Sequence, residues 1–233
     1  MTESPVTLIT GGTSGIGAAT ARMLLDRGDR VCVTGRGTDR LNRFVAGVGA
    51  PDSLLAINAD ASDWDAVESV VKSTIDRFGR LDAVVANAGF ATHDSLADGD
   101  PRQWREMVLT NVLGPALLIR ASLAALKETQ GRIVLVGSVA GMVPTPGNIY
   151  GVTKWAVTGL AENTRRLVTA DGVGVTLLAP GRVDTEFWEP VGGAPQGLNL
   201  TAEQLAESVL WAISQPKGVD VNTVVIRPIG QSV

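Results

Sequence analysis

Short apolar runs recur along the chain, each bounded by turn-forming residues and each followed by a stretch whose apolar positions return every three or four residues. The runs are Val6–Ile9, Arg30–Thr34, Ser53–Ile57, Leu81–Ala86, Gly131–Ser138, Val173–Ala179 and Asn222–Ile226. Continuous apolar runs of this length, rich in Val, Ile and Leu, predict strands buried on both faces. The segments between them predict helices. One follows the glycine-rich stretch after the first run, with Ala18, Ala19, Ala21, Met23, Leu24 and Leu25 as its formers. A short one covers Leu41–Val48 and stops at Gly49-Ala50-Pro51. A third is capped by Ser62, turns Val67, Val70, Val71, Thr74, Ile75 and Phe78 inward, and ends at Gly79. Pro101–Lys127 reads as one long helix kinked at Pro115, and Ile149–Thr169 as another. Thr201 caps the last, with Leu205, Val209, Leu210 and Ile213 inward. Strand and helix alternate without a linker, a repeat or a break in composition. The expected fold is therefore α/β, a doubly wound parallel sheet in one domain over residues 1–233. Residues 186–200, rich in Gly, Pro and Trp, predict a mobile flap.

Ligands of such sheets sit beyond the carboxyl ends of the strands, and the chemically distinctive residues fall there. The first strand runs into Thr10-Gly11-Gly12-Thr13-Ser14-Gly15-Ile16-Gly17 and then a helix. Strand, glycine turn and helix together predict a dinucleotide site. The glycines let the backbone approach a pyrophosphate, and the helix N-terminus offers free N–H groups and a favourable dipole. The second strand ends in Gly35-Arg36, where an acidic residue would accept from the ribose 2′-hydroxyl of NAD. A guanidinium in that place favours the 2′-phosphate of NADP; Ser14, Thr38 and Arg40 offer further donors. Asp60, after the third strand and before Ala61, suits either an adenine contact or a plain turn. The fourth strand ends in Asn87-Ala88-Gly89, small enough for a flat ligand to approach. Asn111 is polar among apolar neighbours, either a satisfied core amide or a group holding a water or a bend.

Tyr150 and Lys154 stand four residues apart on the predicted helix Ile149–Thr169, about one turn, so they share a side. An ammonium beside a phenol lowers the phenol's pKa and suits it to give or take a proton. Ser138, at the end of the fifth strand, can meet the same substrate oxygen.

The composition narrows the alternatives. Net charge is −4 with acidic and basic residues interspersed, which gives no footprint for nucleic acid. The one cysteine, Cys32, lies within an apolar run and predicts a packed thiol; the one histidine, His93, has no clustered partner for a metal, so no metal is expected. No uncharged apolar stretch reaches membrane-spanning length, and the first strand begins too early to leave room for a signal peptide. A cytoplasmic enzyme without membrane attachment is the expectation.

In these segments the chain resembles the short-chain dehydrogenase/reductase (SDR) family. The resemblance runs from Thr10 to Ile226 and rests on the glycine turn, Asn87-Ala88-Gly89, Asn111, Ser138, Tyr150-Gly151-Val152-Thr153-Lys154 and Pro180-Gly181-Arg182-Val183-Asp184-Thr185. One departure is Ala86, where the family usually has a first Asn. The resemblance implies a Rossmann sheet of seven strands in the order 3-2-1-4-5-6-7. It implies Tyr150 as acid/base, Ser138 as hydrogen-bond donor to the substrate oxygen, Lys154 on the nicotinamide ribose and depressing the Tyr pKa, and Asn111 in a proton relay. Gly11, Thr13, Ser14, Gly15, Ile16, Gly17, Arg36, Asp60, Ala61, Asn87, Ala88, Gly89, Pro180 and Gly181 would line the dinucleotide, with Val183 and Thr185 on the carboxamide. The implied reaction is hydride transfer between NADP(H) and a carbonyl or alcohol, in a homodimer or homotetramer built on the two long helices; apolar positions such as Trp104, Val108, Trp155 and Val157 belong either to that interface or to the core.

Candidate substrate contacts, Phe90, Ala91, His93, Met142, Val143, Thr145, Phe187 and Trp188, are mostly apolar and point to a neutral, partly hydrophobic ketone or aldehyde. Two alternatives stay open: an NAD-dependent alcohol dehydrogenase of the same fold, and a dinucleotide-binding regulator without turnover.

Overall fold

All seven predicted strands pair in one parallel sheet. A computed structural model describes residues 4–232. The order of elements is β1 (Val6–Ile9), α1 (Gly15–Asp26), β2 (Arg30–Gly35), α2 (Thr38–Gly47), β3 (Leu54–Asn58), α3 (Trp64–Phe78), β4 (Ala83–Ala86), α4 (Pro101–Val108), α5 (Gly114–Thr129), β5 (Arg132–Val136), α6 (Ile149–Val168), β6 (Gly174–Pro180), α7 (Ala202–Ile213) and β7 (Thr223–Ile226). The sheet order is β3-β2-β1-β4-β5-β6-β7, as the resemblance implied. Because β1 lies between β2 and β4, the chain changes direction across the sheet there. That switch point opens a crevice at the strands' carboxyl ends.

The continuous apolar runs have a direct cause: both faces of the sheet are covered. Leu8, Cys32, Val84, Ile133, Leu135 and Leu177 pack with α3, α5 and α6 on one face. Their neighbours Ile9, Val31, Val33, Val85, Val134 and Leu178 pack with α1, α2 and α7 on the other. Alternate residues of one strand thus serve opposite layers. Cys32 is wholly buried, and that burial pushes its thiol up to about 12, with a Thr74 hydrogen bond only partly offsetting it. It is an inert core group, as its apolar surroundings suggested.

Three local expectations change. The third helix is capped by Asp63, whose side chain accepts from Ala66 N, and not by Ser62. The second begins at Thr38, three residues before Leu41. The long helix is two: α4 and α5 are joined by a π turn at Leu109–Leu113, and Pro115 stands in the first turn of α5. Proline has no N–H to return to the carbonyl four residues back, here that of Asn111. The Gly114 N–H instead reaches Leu109 O, five residues back, and the register slips by one. The Pro101–Thr129 run has the length and hydropathy of a membrane span. Here α5 packs against α3, α6, β4 and β5.

The stretch 186–200 opens with a 3₁₀ turn, Glu186–Val191, and is pinched at its base. A parallel bridge joins Val183 to Leu200, with Asp184 N donating to Leu200 O at 2.8 Å and Leu200 N to Arg182 O at 2.9 Å.

Candidate active site

The glycine turn is shaped by close backbone contacts. Gly11 and Gly15 have φ of 63° and 48°, a region that disfavours a side chain. A Cβ on Gly17 would lie 2.5 Å from Asn87 Nδ2 and closer still to Gly11 O. Asn87 Nδ2 donates to Thr10 O and Gly11 O, both at 3.0 Å, while Thr10 Oγ1 accepts from the amides of Asn87 and Ala88 at 3.2 Å. Asn87 therefore braces the turn from the next strand. Ser14 is the N-cap of α1, yet its hydroxyl makes no cap hydrogen bond. The first amides of α1 and this hydroxyl together form an anion cradle that fits a pyrophosphate. Thr13 packs over Gly35, and a Cβ on Gly15 would sit 3.3 Å from Thr185 Cγ2, so the end of β6 closes on the same turn.

Arg36 follows β2 with its side chain 55% exposed. It lies 3.8 Å from Asp60 and 5.9 Å from the Phe90 ring centroid. Asp60 Oδ1 accepts from both the amide and the hydroxyl of Ser62, at 2.8 and 2.7 Å. Burial raises the Asp60 carboxyl, but these bonds and the Arg36 charge outweigh it and leave the pKa lowered. Asp60 is thus both a turn former and the partner of Arg36. Ala61 is buried where α5 begins, with its carbonyl 2.9 Å from the Cβ position of Gly114.

Asn111, on the π turn, is 1% exposed and fully bonded through its side chain. Its Oδ1 accepts from Phe90 N at 3.0 Å, and its Nδ2 donates to Phe90 O at 2.9 Å and to Thr153 Oγ1 at 3.0 Å. The amide locks the loop after β4 to α6. The satisfied core amide considered from sequence describes its side chain; the π turn adds a bend.

Asn148 starts α6 by accepting from Gly151 N at 3.0 Å, and this cap sets Tyr150 and Lys154 in the first turns. Lys154 is 5% exposed; its Nζ donates to Val136 O at 2.9 Å and lies 5.6 Å from the Tyr150 ring centroid. The Cβ position of Gly89 is 3.6 Å from Lys154 Nζ and 3.1 Å from Asn111 Oδ1, so β4, the π turn and α6 converge on one point. Ser138 Oγ accepts from Ala140 N at 3.1 Å in a short 3₁₀ turn after β5.

The electrostatics correct one expectation. Burial pushes Tyr150 up to about 12, against the lowering effect of a hydrogen bond with Ser138. Burial also brings Lys154 down to about 8. Desolvation penalises both charged forms. The direction is opposite to the one expected from the neighbouring ammonium: burial of the phenol holds its pKa above the ordinary value.

Among the candidate substrate contacts, the fold brings His93 together with Phe187 and Trp188. The His93 backbone adopts φ 58°, and its Nε2 lies 3.0 Å from Phe187 O. Its ring is 4.9 Å from Phe187 and 5.3 Å from Trp188, and Phe187 stands 5.5 Å from the Tyr150 ring. Trp188 Nε1 donates to Val183 O at 2.9 Å, tying this cluster to the end of β6. Val183 is 7% exposed, and Gly181 N donates to Ile226 O at 2.7 Å just beyond Pro180, the last residue of β6. Arg182 is solvent-exposed.

Compared with known proteins, residues 5–195 match the family described as short chain dehydrogenase. An uncharacterized oxidoreductase of Staphylococcus epidermidis is 34% identical over 229 residues, which cover 97% of this chain and 98% of the relative. An alcohol dehydrogenase from the archaeon Thermococcus sibiricus, complexed with 5-hydroxy-NADP, superposes with a TM-score of 0.89 at 31% identity and 99% coverage of both chains. A serine dehydrogenase in a closed form with NADP+ gives a TM-score of 0.89 at 30% identity, covering 98% of this chain and 96% of the other.

Proposed function

Because the chain belongs to the short chain dehydrogenase family and is an oxidoreductase of that fold, we propose that it is NADP(H)-dependent and interconverts a neutral, partly hydrophobic carbonyl compound and its alcohol. The observation that carries this proposal is the convergence of Tyr150, Lys154, Asn111 and Gly89 at the sheet's switch point, next to the glycine turn. The nicotinamide, when bound, supplies or accepts the hydride.

The chain's own residues do the rest. The α1 amides and Ser14 hold the pyrophosphate. Asn87-Ala88-Gly89 gives a flat wall. Val183 and Thr185 hold the carboxamide, and Lys154 the adjacent ribose. Tyr150, protonated at neutral pH, is the proton donor in the reductive direction, and Ser138 hydrogen-bonds the same substrate oxygen. Asn111 maintains the loop and helix on which these groups stand; a proton relay through it is the family's implication and part of this proposal.

NADP is favoured over NAD by Arg36, which stands where an NAD enzyme needs a carboxylate. Its pair with Asp60 is long and exposed, so it is worth little and yields readily to a phosphate. The NADP-bound relatives support the same choice. We further propose a homodimer or homotetramer through α4–α6. Val108 and Trp155 are exposed there and fit this role, whereas Val157 is core and Trp104 bonds Asp94.

The test is reduction of neutral ketones with NADPH and with NADH, in the native protein and in Arg36→Asp. Losing a charge-assisted phosphate contact costs about 1.5–3 kcal/mol, so the NADPH/NADH ratio of kcat/KM should fall by roughly 10- to 100-fold. A native ratio at or below one refutes the NADP assignment. A Tyr150→Phe protein with undiminished kcat refutes the proton-transfer role.

A further inference from the structure

Aromatic residues are scarce in this chain: four Phe, five Trp and one Tyr, beside one His. Yet the only Tyr, the only His, one Phe and one Trp gather in a single cluster at the proton-donating phenol. Phe187 is the hub. Its ring meets His93 at 73° and Trp188 at 83°, edge to face, and Tyr150 at 56°. These are the orientations that ring quadrupoles favour. Packing alone would be served as well by Leu or Val, which dominate the core of this protein.

His93 holds the hub in place. Its Nε2 lies 3.0 Å from Phe187 O, a hydrogen bond when that nitrogen carries the proton. To reach it the backbone at His93 takes the left-handed conformation at φ 58°, which costs free energy in a residue other than glycine. The bond spans 94 residues of sequence and is the point where the loop after β4 grips the segment after β6.

On these grounds, and resting on the carbonyl-reductase proposal above, we infer that His93 is a specificity-determining positioning residue. It holds Phe187 beside Tyr150, backed by Trp188, as one wall of a slot for substrates that carry a planar aromatic ring. A substrate oxygen that reaches the Tyr150 hydroxyl brings the rest of the molecule against Phe187, whose ring is 5.5 Å from that of Tyr150. An aryl group gains ring–ring contacts there that a saturated ring of the same outline does not.

Phenylacetone and cyclohexylacetone provide the test, because a methylene insulates the carbonyl from either ring. The native enzyme with NADPH should favour phenylacetone in kcat/KM by about threefold to tenfold. His93→Asn retains a residue type that tolerates the left-handed backbone but removes the ring. It should bring that ratio below about twofold by raising KM for phenylacetone, with the KM for NADPH unchanged. Phe187→Leu, which keeps apolar bulk, should do the same and covers the case in which His93→Asn fails to fold. Equal use of the two ketones by the native enzyme, or an unchanged ratio in both variants, overturns the slot. If neither ketone is reduced, binding of benzyl alcohol against cyclohexylmethanol, followed by ligand-observed NMR, separates the two claims. Preference for the aryl alcohol then upholds the slot and places the failure in the ketone chosen; equal binding overturns the slot.

Discussion

Replacing Lys154 with Met should make this protein more stable at neutral pH while removing its activity. The ammonium is 5% exposed and has one hydrogen-bond acceptor, Val136 O at 2.9 Å. Burial brings its pKa from 10.5 to about 8. A shift of that size corresponds to about 3 kcal/mol by which folding disfavours the charged form. The sign follows from proton binding. Between pH 8 and 10.5 the unfolded chain holds this proton and the folded chain does not, so stability rises with pH through that window. Below pH 8 both states are charged and the whole penalty stands. Met has a similar length and helix propensity and no charge. It leaves the Val136 carbonyl without its donor, at about 1–2 kcal/mol. The net gain at pH 7 is therefore about 1–2 kcal/mol, which raises Tm by about 2–8 °C for a chain of this size. Thermal melts of both proteins at pH 7 and pH 10 check this. The advantage of Lys154→Met should be present at pH 7 and vanish or reverse at pH 10, while kcat drops at least about 100-fold. A variant less stable at pH 7, or a difference that does not change with pH, refutes the argument that a desolvated charge is kept here for function at a cost in stability.

Two further outcomes are expected. Tyr150 is the only tyrosine, so phenolate absorbance reports it alone: the folded protein should titrate near 12, and the denatured protein near 10. Because the folded pKa is the higher, this group also withdraws stability as pH rises from 10 to 12, and a midpoint below 10 would contradict the burial argument. Gly17→Ala should cost about 1–3 kcal/mol and abolish NADPH binding in a fluorescence titration, because the new Cβ meets backbone and Asn87; Gly47→Ala, with nothing within 4 Å, should leave Tm unchanged or raise it.

Much of the site was legible because it is written in local patterns. The glycine turn, Arg36 at a strand end and the Tyr150/Lys154 spacing each depend on a few adjacent residues. What was misjudged depends on distant neighbours. Asn87 was read as a small residue at a strand end lining the dinucleotide; its amide also braces the turn 77 and 76 residues earlier, at Thr10 and Gly11. The Pro115 kink became a π turn because the missing N–H shifts the ladder upstream, onto the turn that holds Asn111. Lys154 was expected to depress the Tyr150 pKa, a pairwise argument that left out the burial of both groups.

The sequence by itself determined the alternation of strands and helices, the single sheet, and which candidate residues stand at its carboxyl edge. These follow from hydrophobic period, turn chemistry and spacing, all of which act over one or two turns of chain. Tertiary structure alone decided how far those groups are desolvated and what faces them. Desolvation is set by everything that packs around a side chain, so neither the protonated Tyr150 nor the weakened Lys154 could be read from their spacing. The meeting of His93, Phe187 and Trp188 beside Tyr150 likewise joins segments 94 residues apart, which only the crossover from β4 to β6 brings together.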